Sequence, residues 1–341
     1  GGRLMGLLLL LLAALLASLA IGSVSIPPAA ILQVLLKSMA GAQMDAQWLS
    51  EYGTAAAILL KLRLPHALLM LMAGAALGGS GAAYQGLFRN PLADPYLIGV
   101  ASGAGLGAVL AMSVKLPYTT IGLLAVPLAA FVLAIGTVWL VYSLARVGKT
   151  TPTTNLILAG VAISAFATAI TSYVMLRSQG ELRRAISWLL GGGTLSGWQP
   201  VVACLPYILI GLGLLLAMGY RLDVMQFGDE QAEQLGVPVN RVRWLVIAGA
   251  TLATAGAVSF SGIIGFVGLV VPHIFRLVGI IDHRKLLPVS MLGGAILLIV
   301  ADVLARVVIT PQQLPVGIVT AMLGAPFFLW VLKRAKAQAF W

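Results

Sequence analysis

Apolar windows about 20 residues long recur along the whole chain, and that is the length a helix needs to cross a bilayer core about 30 Å thick. Apolar length and chain breakers predict spans at 4–25, 61–86, 96–114, 117–143, 154–176, 199–219, 243–262, 266–281, 286–308 and 314–332. The expected fold class is all-α: one polytopic transmembrane domain over residues 1–341 with about ten membrane helices. Leu7 to Ala20 looks like a signal-peptide core, with small residues from Ala17 to Ala20. The apolar run continues through Val24 to Pro27-Pro28, so it reads as an uncleaved first span.

Two polarity details refine the picture. Trp244 to Phe275 contains no charged residue and is too long for one span yet short for two. Ser259, Ser261, Gly262 and Gly265 place a break there, with a short helix behind it. Irregular backbone at membrane depth survives only inside protein or against a cavity. Gly74, Gly78 and Ala82, then Gly99, Gly103 and Gly107, form stripes of small residues at four-residue spacing. Such faces let helices approach closely, and packing is preferred here over a path lined by small side chains.

Composition agrees with a membrane location: 60% of residues are hydrophobic and 9% charged, against about 25% charged in soluble domains. The net charge of +11 does not point to nucleic acid, because Lys and Arg stand singly or in twos between apolar runs. With the N-terminus inside, 13 basic residues fall on the inner side and eight on the outer. That bias favours both termini in the cytoplasm.

Little here is chemically reactive. Cys204 is alone, which excludes an intrachain disulfide and leaves a small buried hydrophobe. His66, His273 and His283 show no metal-ligand spacing. Gly148-Lys149-Thr150 imitates the end of a phosphate-binding loop, but position 143 is Ser and a membrane helix precedes it. Asp302 is the only acidic residue well within a span, and Arg306 one turn later softens its cost. A proton relay would need more such groups, which weakens an ion-coupled secondary transporter and an intramembrane enzyme as readings. Without a nucleotide site, energy must come from a partner. The longest polar segment, Arg221 to Arg243, predicts a short amphipathic helix over Asp229–Leu235. Gly228 precedes it, Gly236 closes it, and Pro238 starts a second short helix. Such a helix–turn–helix can dock on a motor subunit, or it can be a solvated connector.

Five motifs carry a family resemblance: LRLPH at Leu62–His66, QGLFRNPLADPYLIG at Gln85–Gly99, GIIGFVGLVVPHIFR at Gly262–Arg276, DHRKLLP at Asp282–Pro288 and LPVGIVTAMLGAPFFLW at Leu314–Trp330. Together they resemble the FecCD-type permeases of ABC transporters, which import iron–siderophores, haem and cobalamin. The resemblance implies a type II importer fold in a bacterial or archaeal cell membrane, without cofactor or enzymatic activity of its own. It implies a homodimer with the path at its interface, two ATP-binding cassette subunits that hydrolyse ATP, and an external substrate-binding protein.

By the same resemblance, Asp229, Glu230, Gln231, Ala232, Leu235 and Gly236 belong to the ATPase-coupling segment within 221–243. Asn90, Leu92 and Asp94 fall at an inner gate, and Thr153, Thr154 and Asn155 in a loop that closes the path. Arg63 and Arg306 match positions that dock the binding protein, and their place at the outer ends of spans fits such a role. His66 stands where the family usually has Arg, and Gln313 where Glu commonly precedes LPVG. The implied mechanism is alternating access. No residue discriminates among the cargoes, although the family as a whole favours an iron chelate.

Overall fold

The computed structural model describes residues 2–22, 24–40, 46–114, 120–148, 150–178, 180–193, 195–309 and 312–338. Lys115 and Lys149 lie outside the described residues. Every expected span corresponds to one helix: α1 (Gly2–Ala20), α4 (Leu64–Leu87), α5 (Val100–Ser113), α6 (Thr120–Ala145), α7 (Thr153–Arg177), α9 (Trp198–Met225), α11 (Val239–Ser261), α12 (Val267–Leu277), α13 (His283–Val307) and α14 (Val316–Gln338). Among the described residues, seven helices are long and apolar enough to cross a membrane. Helices α5 and α12 and the Val316–Val331 part of α14 are apolar but shorter.

Four further helices lie outside the expected spans; among them α3 (Ala46–Ile58) runs with α4 in one apolar stretch, Trp48–Leu87, and α2 (Pro28–Met39) is apolar but short. Helices α2 and α3 form a small cluster at one end of the bundle, where Ile31, Val34, Trp48 and Leu59 are buried with Leu19 and Ile26. Helix α3 runs straight into α4 through a π-helical turn at Leu59–Arg63. The Trp198 indole donates 2.9 Å to the Leu60 carbonyl beside that turn. Helix α8 (Leu182–Leu189) packs on α5 and α7. Helix α10 (Asp229–Gln234) is the short acidic helix foreseen in the polar segment. Pro238 begins no second short helix: it leads directly into α11, which continues for 23 residues. Val239, Val242 and Val246 are buried along one face, so apolar packing carries the helix past the polar stretch.

Helix α4 is the centre of the bundle and contacts α9, α11, α12 and α13. Its most extensive neighbour is α13. The small-residue stripe explains that contact. A Cβ on Gly74 would lie 2.3 Å from the Gly294 carbonyl, and one on Gly78 2.2 Å from that of Ser290. Gly107 meets the Ala129 backbone of α6 in the same way, at 2.2 Å. These glycines therefore serve packing, since apolar burial drives no association between helices already in lipid.

The expected break is present. Helix α11 stops at Ser261, Gly262 takes φ 78° and Phe266 φ 69°, and α12 follows. Its 11 residues cover about 16 Å, half a bilayer core. The exposed backbone in the gap finds protein partners. The Tyr96 hydroxyl donates 2.9 Å to the Ile264 carbonyl and accepts 3.2 Å from its amide. Gly191 and Gly193 lie against the same segment. This is irregular backbone sheltered within the bundle, as the cost of unpaired polar groups in lipid requires.

Candidate functional site

At one end of the bundle α10 projects between α9 and α11. Asp229 and Glu230 occupy its first turn, where negative charge suits the helix dipole. Ala232 is fully buried, whereas Glu230, Gln231, Glu233 and Gln234 are exposed. Two large apolar side chains flank these acids: Phe227 is 71% exposed and Leu235 66%. Gly236 turns the chain with φ 83°, and its amide donates 2.9 Å to the Glu233 carbonyl.

Asp229 anchors this knob. One carboxylate oxygen lies 2.6 Å from the buried Arg243 guanidinium of α11, the other 3.3 Å from Arg89 beyond the end of α4. Nearby, Gln226 donates 2.8 Å to the Gly86 carbonyl of α4. Asp223 of α9 accepts 2.7 Å from the His283 amide at the start of α13. Helices α4, α9, α11 and α13 thus meet around the base of α10 through charged and amide side chains.

The gate candidates sit at the same end. Between α4 and α5, the Asn90 side chain accepts 2.9 Å from the Leu92 amide, and Asp94 accepts 2.8 Å from that of Tyr96. Burial pushes the Asp94 carboxyl up to about 6, against the lowering effect of the Tyr96 amide. Leu92 is exposed. Thr153, Thr154 and Asn155 form the first turn of α7, with Thr154 exposed. Two turns on, a Cβ at Gly160 would lie 2.4 Å from the Leu97 carbonyl, so α7 runs directly against the 88–99 loop. Val147 and Thr150 exchange backbone hydrogen bonds of 2.9 and 3.1 Å.

The docking candidates sit at the opposite end, and their geometry differs from that of free rim cations. Arg63 is 9% exposed and Arg306 7%. The Arg63 guanidinium donates 2.6 Å to the Leu19 carbonyl, 3.1 Å to that of Ala20, and to Val24 as well. Arg306 donates 3.1 Å to the Ser18 carbonyl, 3.2 Å to that of Ile21 and 2.7 Å to the Ser18 hydroxyl. Two cations therefore hold the C-terminal end of α1, where carbonyls lack helical partners and the dipole favours positive charge.

Asp302 pairs with Arg306 at 2.9 Å, as its place one turn away led one to expect. It also faces His66 across the bundle at 2.8 Å, a contact 236 residues apart that no periodicity signals. His66 is the accessible member, with 40% of its side chain exposed. Two adjoining cavities of about 370 and 330 Å³ share His66, Ser196, Arg306 and Gln313. The second reaches Ser261 and Gly191, the edge of the helix break. No cluster of three or more His, Cys, Asp or Glu able to hold a metal occurs among the described residues.

Known proteins decide the family. The profile of the FecCD transport family matches residues 9–334. The chain belongs to the FecCD transport family. This membership and the seven apolar helices make it a multi-pass permease of the cell membrane. It is 46% identical over 286 residues to the cobalamin import system permease protein BtuC of Halobacterium salinarum, covering 84% of this chain and 76% of that one. It is 41% identical over 282 residues to the Fe(3+) dicitrate transport system permease protein FecD of Escherichia coli, covering 82% and 86%. It is 39% identical over 286 residues to the hemin transport system permease protein HmuU of Yersinia pestis, covering 82% and 84%. A solved structure described as an inward-facing conformation of a metal-chelate type ABC transporter superposes with a TM-score of 0.81. That pair is 30% identical and covers 97% of this chain and 98% of the other.

Proposed function

We propose that this chain is the membrane subunit of an ATP-binding cassette importer that passes a metal held in an organic chelate, delivered by an external binding protein, through a pair of identical subunits. The reading rests on α10: a helix that buries one alanine, exposes two acids, and is flanked by two exposed apolar side chains. A knob of this kind is shaped to enter a groove on another protein, with Leu235 and Phe227 as apolar anchors and Glu230 and Glu233 as the polar rim. Its base is tied by Asp229 to α11 and to the end of α4, so a push on the knob reaches helices that cross the membrane. The loop with Asn90, Leu92 and Asp94 follows that end of α4 directly. Together with Thr153, Thr154 and Asn155 it forms the inner gate.

Three relatives named for the import of cobalamin, hemin and ferric dicitrate support this cargo class. What these share is a metal already enclosed by organic ligands. A channel with few acidic or metal-ligating side chains suits such cargo, since it need not strip the metal. At the opposite end the carboxylates of a binding protein would meet His66 first, with Arg63 and Arg306 set behind it and already bonded to α1.

The test is co-purification with an ATP-binding cassette subunit co-expressed with this chain. The expectation is that the parent chain retains its partner, and that Leu235→Asp together with Phe227→Asp releases it while the permease stays folded. Full retention by the double variant would remove α10 as the coupling element.

A further inference from the structure

Helices α6, α9 and α11 enclose an apolar groove of about 300 Å³ that opens on the side of the bundle rather than at either end. Its walls are Val138, Trp139 and Tyr142 of α6, Leu214 of α9, and Trp244 and Ala248 of α11. Trp139 is 69% exposed and Trp244 53%. Indole and phenol rings at such positions mark the interfacial region of a bilayer, where one part of the ring is apolar and the other wet.

Arg221 of α9 and Arg241 of α11 lie on the continuation of the same stripe, and Arg146 is the first residue beyond the end of α6. Arg146 follows Tyr142 by four residues, Arg221 follows Leu214 by seven, and Arg241 precedes Trp244 by three. The last two spacings keep a residue on one helical face, about 4.5–10 Å further along the axis. Helices α6 and α9 run toward the α10 end and α11 away from it, so all three arginines gather there. All three are exposed. Arg221 donates 3.4 Å to the Ala217 carbonyl of its own helix, and Arg146 3.0 Å to that of Gly148. Two acidic neighbours are engaged elsewhere, Asp223 with His283 and Asp229 with Arg89 and Arg243.

We infer that this groove is a binding site for an anionic phospholipid, with one acyl chain lying between α6, α9 and α11 and the phosphate held by Arg146, Arg221 and Arg241. A slot for a hydrocarbon chain, aromatic side chains at the level of the ester groups, and three exposed cations at the same end of the bundle form a complement to that molecule. The occupant is the bilayer's own lipid, because the groove opens where lipid must lie. Arg221 and Arg241 lie in the polar segment that carries α10, but counting retained lipid needs neither the cassette partner nor transport, so its test stands apart from that of the transport reading.

The experiment reconstitutes the full-length permease into nanodiscs of equal phosphatidylglycerol and phosphatidylcholine. The lipids kept after detergent extraction are then counted by native mass spectrometry. The site predicts preferential retention of phosphatidylglycerol. Each Arg→Gln change should lower the preference by about fivefold, the weight of one basic residue beside an anionic surface. The triple variant should bring it to parity. Ala248→Trp should plug the slot and lose the lipid with all three arginines intact, and Leu214→Trp serves should that variant fail to fold. Equal retention of both lipids by the parent, an unchanged preference in the triple variant, or undiminished retention in a folded plugged variant would overturn the assignment.

Discussion

Replacing Asp229 by Asn keeps the shape of the side chain and removes the charge that holds α10 to the bundle. The main loss is the 2.6 Å contact with Arg243, whose side chain is 4% exposed. Breaking a fully buried ion pair costs about 3–5 kcal/mol because a buried charge is left alone. Asp229 is itself 41% exposed, so water reaches one side of the pair and the cost falls to about 1–2 kcal/mol. The Arg89 contact, long and exposed on both sides, adds less than about 1 kcal/mol. A double-mutant cycle of Asp229→Asn with Arg243→Gln, followed by unfolding in mixed micelles, should return an interaction of about 1–2 kcal/mol. In the assembled complex Asp229→Asn should still allow ATP hydrolysis, but the transport obtained per ATP should fall several-fold, because the knob moves without its helices. An interaction below about 0.3 kcal/mol, or unchanged transport per ATP, would refute the idea that this carboxylate transmits the stroke.

Gly78→Val should prevent folding, because its Cβ alone would sit 2.2 Å from the Ser290 carbonyl, while Gly213→Ala, with open space around it, should be silent; levels of folded protein after extraction decide. Tyr96→Phe should cost about 1–3 kcal/mol, since both backbone groups of Ile264 lose their partner in the helix break, and an unchanged melting point would mean that other groups satisfy them. The raised Asp94 pKa makes its neutral form the stable one in the fold. That contribution is complete below about pH 4 and is lost as pH rises through about 6. Asp94→Asn keeps an acceptor for the Tyr96 amide, so it should match the parent at pH 4 and exceed it in melting temperature at pH 8; parallel curves over that range would remove burial as the cause.

What the sequence made legible follows from what periodicity can carry. The helix positions and the break after Ser261 are local properties of apolar length and of Gly262: a helix stands at each of the ten expected places, and seven helices are long and apolar enough to cross a membrane. Helix α10 was visible because acids open it and glycines bracket it. Helices α2, α3 and α8 were not, because each is too short or too polar to look like a span. The second short helix after Pro238 was an error of the same kind: a polar stretch looked like a connector, yet Val239, Val242 and Val246 bury one face and extend α11 through it.

The chemistry at the end that holds Arg63 and Arg306 was the least accessible from sequence. Arg63 and Arg306 stood out as cations at span ends, but their carbonyl partners at Ser18 to Val24 are tertiary contacts. The His66–Asp302 pair joins α4 to α13, and only the fold brings the two together. The small-residue stripe of α4 was legible as a packing face, but its partner, Ser290 to Gly294 of α13, was not.

The central claim is that this permease moves its cargo only when an external motor drives it. The most direct measurement is uptake of a radiolabelled ferric or cobalt chelate into proteoliposomes. One set contains this chain alone with an imposed proton or sodium gradient, and the other adds the cassette subunit, the binding protein and internal ATP. The account predicts accumulation only in the complete system, abolished by withholding ATP. Uphill accumulation by the chain alone under an ion gradient would contradict it.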